Sequence, residues 1–199
     1  MSGTDTRPTI LIVRHGRTAL NAQALLRGRI DEPLDETGSA EAEALGSALA
    51  AERLIWVVSS PLRRAADTAR AVASAHPGLG VHLDADLLDR DWGPWAGRPM
   101  EDLLAQYGDA DRAPDVEARP DFVRRVMAAF DRSAARAVAG GASVALVAHD
   151  AVNRAILTAV AGGEPPGGWS QRTGCWNRLQ RTPEGGWAPT VVDRKPVAS

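Results

Sequence analysis

The sequence predicts an α/β protein, a three-layer α/β/α sandwich around a mainly parallel central sheet. Three observations carry that expectation. Ile10-Leu11-Ile12-Val13 is a short, wholly apolar run of the kind that forms a strand buried on both faces. Similar runs, Ile55-Trp56-Val57-Val58 and Ser143 to Ala148, recur with helical patterns between them, and strands alternating with helices indicate a parallel sheet. Each run also ends in polar chemistry: Arg14-His15-Gly16, Ser59-Ser60 leading to Arg64, and His149-Asp150. In a parallel sheet these ends share one edge, and the crevice beyond that edge is where ligands bind.

The remaining elements follow in order. After the first strand, Asp31-Glu32-Pro33-Leu34 reads as a turn, and Asp35 or Thr37 caps a helix running to about Ala51. Its Ala44, Leu45, Ala48 and Leu49 fall at helical spacing and are expected to face the core. A helix from about Leu62 to Ala75 is ended by His76-Pro77-Gly78, and Val81 to Leu83 makes a short third strand. Residues 84–120 read as an irregular, substrate-side segment with a short helix near Met100 to Tyr107. From Pro120 a helix resumes, its apolar stripe being Phe122, Val123, Val126, Met127 and Phe130, until Gly140-Gly141 stops it. The helix after Ala148 carries Val152, Ile156 and Val160 inward, residues 161–170 form a Gly/Pro loop, and two last strands fall near 173–180 and 187–192. One domain over residues 1–199 accommodates all of this.

Composition narrows the function classes. A chain of 199 residues with 44% hydrophobic and 24% charged residues can bury a substantial core. A net charge of -2 gives no global reason for a nucleic-acid or membrane partner. The single cysteine, Cys175, excludes an intramolecular disulfide, supplies no zinc cluster, and is expected to be buried and inert. The polar start, Met1 to Pro8, lacks the apolar core of a signal peptide, and no run approaches the ~20 residues that span a bilayer, so a cytoplasmic location is expected. Asp109, Asp111, Asp115 and Glu117 lack the spacing of a calcium loop and read as a solvated connection. His76 and His82 match no motif and are expected at an exposed loop or strand edge. No metal and no cofactor are expected. Six tryptophans against two phenylalanines find no explanation in the sequence.

The chemistry concentrates at the end of the first strand. A neutral imidazole such as that of His15 can attack phosphorus without an activating base. Arg14 beside it offers a planar fork of donors that matches phosphate oxygens. Gly16 would let the backbone approach a ligand closely.

Leu-Ile-Val-Arg14-His15-Gly16-Arg-Thr18-x-x-Asn21 resembles the signature of the histidine phosphatase superfamily, the phosphoglycerate mutase-like proteins. Ser59-Ser60-Pro-Leu-Arg-Arg64-Ala65-x-x-Thr68-Ala69 is similar to its second motif. Leu87-Leu88-Asp89-Arg-Asp91-Trp-Gly93 occupies its acid motif, and Val147-Ala148-His149-Asp150-Ala-Val-Asn-Arg154 resembles its last. The likeness runs in order from about residue 9 to 158. It implies a phosphoglycerate mutase-like fold and a metal-free phosphohistidine mechanism. His15 is then the nucleophile, Arg14, Arg64 and His149 bind the phosphoryl oxygens, and Asn21 contacts the phosphate. Cations near His15 would lower its pKa and keep it nucleophilic. Asp89 is the implied general acid, standing four positions before Gly93 where the family usually has glutamate. Asp91 is its rival, and also reads as a structural acceptor on a tight loop. The same likeness puts Gly16, Arg27, Gly28 and Asp150 beside the substrate, with Arg27 expected against the part of the ligand that is not phosphate. Arg27-Gly28 lies where the mutases place Thr-Gly, Asp150 replaces the usual glycine, and Ala96 replaces a common glutamate.

The resemblance implies a phosphatase acting on a small phosphorylated metabolite. A mutase that returns the phosphoryl group to bound product is the alternative within the family, but residues 94–119 are short for it. An alternative of another class is a catalytically silent phosphoester-binding protein, which would require a lost nucleophile or acid. Substrate identity and oligomeric state are not legible.

Overall fold

The computed structural model describes residues 7–196, so most of the polar Met1 to Pro8 segment lies outside the described residues. In chain order the elements are β1 (Thr9–Arg14), α1 (Ala19–Ala22), α2 (Glu36–Leu49), β2 (Leu54–Ser59), α3 (Arg63–Ser74) and β3 (Val81–Leu83). They continue with α4 (Met100–Tyr107), α5 (Arg119–Gly140), β4 (Ser143–Ala148), α6 (Asp150–Ala161), β5 (Trp176–Arg181) and β6 (Trp187–Arg194). The strands form one sheet in the order β3-β2-β4-β1-β5-β6. The first four run parallel, while β5 and β6 are antiparallel additions beside β1. The expected sandwich with a mainly parallel sheet is the observed architecture.

Alternation along β1 explains the layers. Successive strand side chains point to opposite faces. Ile10 and Ile12 pack with Phe122, Val126 and Phe130 of α5 and Val152 and Ile156 of α6. Leu11 and Val13 pack with Leu45 and Leu49 of α2 and Ala69 and Val72 of α3. With helices on both sides every residue must be apolar, which is why the run reads without polar interruption. β4 lies between β1 and β2 and is buried throughout. The carboxyl ends of β1, β4 and β2 therefore meet on one edge. The antiparallel sense of β5 pairs its first residue, Trp176, with Val13, so the chain just before β5 also reaches that edge.

Several local expectations change. Asp35, not Thr37, caps α2, its Oδ1 accepting from the Gly38 N–H at 2.7 Å. The buried face of α2 is Ala42, Leu45, Gly46 and Leu49; Ala48 is exposed. Gly46 sets this rotation, because a methyl group there would overlap the Ala71 carbonyl of α3. Residues 84–120 are less irregular than expected and hold a small core of their own, with Trp95, Leu103 and Ala113 packed against Leu26, Trp92 and Met100. His76 is buried rather than exposed, whereas His82 is exposed on β3 and stacks on Trp56 with ring centres 3.3 Å apart. Cys175 is buried, and burial pushes its thiol up to about 12, as befits an inert residue. The tryptophan count also finds a physical counterpart. Arginine guanidiniums lie over Trp56, Trp92, Trp95, Trp176 and Trp187, so these rings pair with the chain's arginines as cation–π partners. Among the described residues no helix is long and apolar enough to cross a membrane.

Gly16 needs no side chain for a different reason from the one expected. A methyl group on it would run into the Gly38 carbonyl oxygen at the first turn of α2, and Gly38 in turn abuts the Arg17 backbone. The two glycines bring the β1 turn against α2, so Gly16 serves packing. Gly16→Ala should therefore lower unfolding free energy by ~1–3 kcal/mol, the usual effect of overpacking. Gly80→Ala, where a methyl group would meet open space, should stay within about 0.5 kcal/mol of wild type. Urea denaturation of both variants checks this, and equal stability would contradict the packing role.

Candidate active site

His15 leaves the end of β1 with its backbone N–H donating to Ala148 O of β4 at 3.1 Å, continuing the parallel ladder. Its ring is fully buried. Nδ1 lies 2.6 Å from Gly16 O. A carbonyl only accepts, so Nδ1 carries the proton and Nε2 keeps its lone pair. Nε2 has no hydrogen-bond partner. Burial holds the His15 pKa well below the ordinary 6.5, and Arg64, Arg14 and Arg27 lower it further. At neutral pH this is an unprotonated nitrogen surrounded by cations.

Those cations come from three elements. Arg14, the last residue of β1, donates from Nη1 to Gln171 O and has Asp150 Oδ1 3.7 Å away. Arg64, in the first turn of α3, is fully buried. It donates to Ile30 O at 2.7 Å and Gly28 O at 2.8 Å, and its Nη2 lies 3.5 Å from Asp89 Oδ2. Gly28 thus holds Arg64 with its carbonyl, in a left-handed turn (φ +52°) packed under Trp92. Arg27 is brought into the same cluster. Burial lowers its pKa, Asp89 opposes this, and the neighbouring charges of Arg14 and Arg64 add to it.

His149 follows β4 and is fully buried, its ring 5.2 Å from that of His15. Its Nε2 meets Ser60 Oγ at 2.8 Å, which gives the Ser59-Ser60 strand end a function. Burial lowers its pKa well below 6.5, with Arg64 and His15 contributing. Asp89 Oδ2 lies 4.0 Å from His149 Nδ1. Burial raises the Asp89 pKa despite the opposing charges of Arg64 and Arg27. Asp91 points elsewhere. Its Oδ1 accepts from the Gly93 N–H at 2.9 Å and its Oδ2 lies 3.3 Å from Arg29, which makes it a loop acceptor.

A surrounding layer fixes these groups. Arg125 of α5 donates to the carbonyls of Asp86, Leu88 and Asp89 and pairs with Glu117, clamping the backbone that carries Asp89. Arg90 pairs with Asp111. Glu117 and Asp111 are therefore counter-ions of arginines, not parts of a merely solvated connection. Among the described residues no group of three or more acidic, histidine or cysteine side chains could hold a metal ion. The Asn21 Oδ1 accepts from Thr18 N at 3.1 Å and closes a capping box over α1, so its oxygen fixes the loop. Asp150 pairs with Arg154, both oxygens 3.1 Å from Nε, and steers Arg14 from the side. Gln171 was not singled out by sequence reasoning. Its carbonyl holds Arg14, while its buried side chain joins Asn153 of α6 to Asn177 of β5. No motif marks it, because it reaches the site only through the antiparallel return of β5.

Among the described residues, seven buried side-chain polar atoms lack a partner, and five of them belong to this cluster: Arg14 Nε, His15 Nε2, Arg27 Nε, Arg64 Nε and His149 Nδ1. Buried polar atoms are ordinarily paired. Such a concentration suits a ligand rich in acceptor oxygens together with an electrophile for His15.

A family model described as the histidine phosphatase superfamily (branch 1) matches residues 10–194. The chain belongs to this superfamily. It is 31% identical over 156 residues to the uncharacterized phosphatase PhoE of Bacillus subtilis, covering 78% of this chain and 79% of that one. It is 32% identical over 182 residues to the glucosyl-3-phosphoglycerate phosphatase of Mycolicibacterium vanbaalenii, covering 84% and 80%. Among solved structures, mycobacterial glucosyl-3-phosphoglycerate phosphatase Rv2419c in complex with VO3 superposes with a TM-score of 0.80 at 26% identity, covering 94% of this chain and 100% of that chain. Some relatives are longer: the chain spans 42% of the bifunctional protein Rv2228c of Mycobacterium tuberculosis, at 35% identity over 159 residues. An enzyme of the histidine phosphatase type is what fold, site and relatives together describe.

The depressed histidines give the protein a definite pH response. Below pH 6.5 the unfolded chain takes up protons that His15 and His149 in the folded chain refuse. Stability therefore falls as pH drops below 6.5 and is fully present above it. Urea midpoints at pH 7 and pH 5.8 should differ in that direction, and nitrogen-detected NMR should find both rings still neutral at pH 6. A positively charged His15 at that pH would contradict the site as described.

Proposed function

We propose that the enzyme hydrolyses phosphomonoesters through a phosphohistidine on His15. The observation that carries this reading is the set of five unpartnered polar atoms converging around the Nε2 lone pair. In the first step Nε2 attacks phosphorus, a P–N bond forms and the ester P–O bond breaks. Asp89 passes its proton to the departing alkoxide. Water then attacks phosphorus, the P–N bond breaks, Asp89 takes a proton from that water, and inorganic phosphate and neutral His15 are regenerated. Arg14, Arg27, Arg64 and His149 surround the equatorial oxygens, the arginines supplying positive charge. Phosphoryl transfer depends on such positioning and charge neutralisation more than on covalent assistance. Asn21 adds its amide N–H to the phosphoryl group, while Asp150 acts through Arg14.

The raised pKa of Asp89 suits the acid role. An incoming phosphate of about -1.5 to -2 charges raises it further by like-charge repulsion. Hydrolysis rather than transfer back to a bound product is favoured by two relatives matched over most of the chain's length, both named phosphatases. The glucosyl-3-phosphoglycerate named for the Mycolicibacterium relative supports a small phosphorylated metabolite as the substrate class of this enzyme.

Assigning Asp89 rather than Asp91 gives a direct test. General acid catalysis is worth roughly 10²–10⁴-fold. Asp89→Asn should lower kcat for alkyl phosphates by about that range, and much less for p-nitrophenyl phosphate, whose leaving group needs little protonation. Asp91→Asn should affect both substrates equally, because its carboxylate holds the Gly93 turn. Exchanged behaviour of the two variants would overturn the assignment.

A further inference from the structure

A cavity of about 440 Å³ lies between the amino-terminal turn of α5, the length of α6 and the 90–100 segment. Its walls include Trp92, Met100, Phe122, Ala151, Ala155 and Ala159. The three alanines recur every fourth residue on one face of α6, and their small side chains leave the groove open. None of the catalytic groups lines the cavity, but three of its wall residues adjoin them. Asp150 lines it and flanks Arg14, Arg90 lines it and follows Asp89, and Trp92 lines it and packs on the Gly28 turn that holds Arg64.

The chemistry of the wall specifies what belongs there. Most of its polar groups are already committed to one another or to neighbours. Asp150 pairs with Arg154, Arg90 with Asp111 and Glu117 O, and the Thr158 hydroxyl with Glu164 and Trp169 Nε1. Arg119 stands exposed at the first position of α5. What the interior offers is aromatic, thioether and methyl surface. Its size falls in the range of roughly 300–1,000 Å³ that takes drug-sized ligands. A three-carbon phosphorylated acid would leave most of it unfilled.

We infer that this cavity is the leaving-group subsite, and that the preferred substrates are phosphomonoesters of alcohols with a bulky, predominantly apolar body of about six or more heavy atoms, the size being set against the pocket range above. The inference rests on the phosphatase reading and narrows it. The phosphoryl group occupies the arginine and histidine cluster, the ester oxygen faces Asp89, and the carbon skeleton lies along Ala151, Ala155 and Ala159 opposite Phe122.

A series of esters with alcohols of matched acidity tests it. Full burial is worth about fourfold per methylene, so kcat/KM for n-hexyl phosphate should exceed that for n-propyl phosphate by at least ~tenfold. The monophosphate of hexane-1,6-diol, equally long but polar at its end, should fall well below n-hexyl phosphate. Ala155→Phe, which fills the groove, should reduce the hexyl-to-propyl ratio at least ~fivefold, a change one or two lost methylene contacts would produce. The wild-type series decides the matter even if that variant fails to fold. Equal kcat/KM across the wild-type series, or an unchanged ratio in folded Ala155→Phe, overturns the subsite while leaving the phosphatase reading intact. Absence of His15-dependent hydrolysis of every ester overturns the phosphatase reading and the subsite with it.

Discussion

The structure is organised around the burial of three guanidiniums beside a neutral imidazole. Arg64 is fully buried and Arg14 and Arg27 half-buried beside it, with Asp89 as the carboxylate facing Arg64 and Arg27. Like charges at close range in a medium of low polarity repel strongly. Nothing in their own chemistry keeps them together, so the fold must. The 28–30 loop turns two carbonyls onto Arg64, Gln171 gives its carbonyl to Arg14, and Asp150 stands beside Arg14. In the proposed mechanism a phosphoryl group resolves the conflict by bringing the missing negative charge. The site is pre-organised for its ligand in the sense that the repulsion has been met by folding before the ligand arrives.

The same constraint accounts for Asp89. Exposed to water beside two arginines, a carboxyl would ionise readily. Burial reverses that and raises its pKa, so the group that balances the cations can also hold a proton. A shorter side chain than glutamate must then be carried closer to the reacting oxygen by its backbone. The clamp of Arg125 on the carbonyls of Asp86, Leu88 and Asp89, anchored by Glu117, provides that rigidity. His15 shows the complementary device: a single bond to Gly16 O selects the tautomer, and burial keeps the ring neutral.

Much of this was legible in the sequence because it is local or repetitive. The β1 run and the alternation of strands and helices led to the sheet, strand-end motifs pointed to Arg14, His15, Arg64 and His149 as neighbours, and the resemblance added Asp89. What escaped depends on contacts between distant segments. The face of α2 is set by Gly46 against α3, the role of Gly16 by Gly38, and the fate of Glu117 by an arginine eight residues away on another element. Gln171 reaches the site only because β5 runs antiparallel to β1. Periodicity carries no information about such meetings. The resemblance placed Arg27 near the substrate, yet only the fold shows it as a third buried cation of the cluster.

The central claim is that Nε2 of His15 is the atom that accepts the phosphoryl group. Rapid acid-free quenching of the enzyme during turnover of a radiolabelled aryl phosphate, followed by peptide mapping and phosphorus NMR of the labelled peptide, examines that atom directly. The account predicts acid-labile, base-stable phosphate on Nε2 of His15, accumulating further in Asp89→Asn, where water is poorly activated, and absent from His15→Ala. Label on Nδ1 or on another residue, or sustained turnover of Asp89→Asn with no labelled His15, would contradict it.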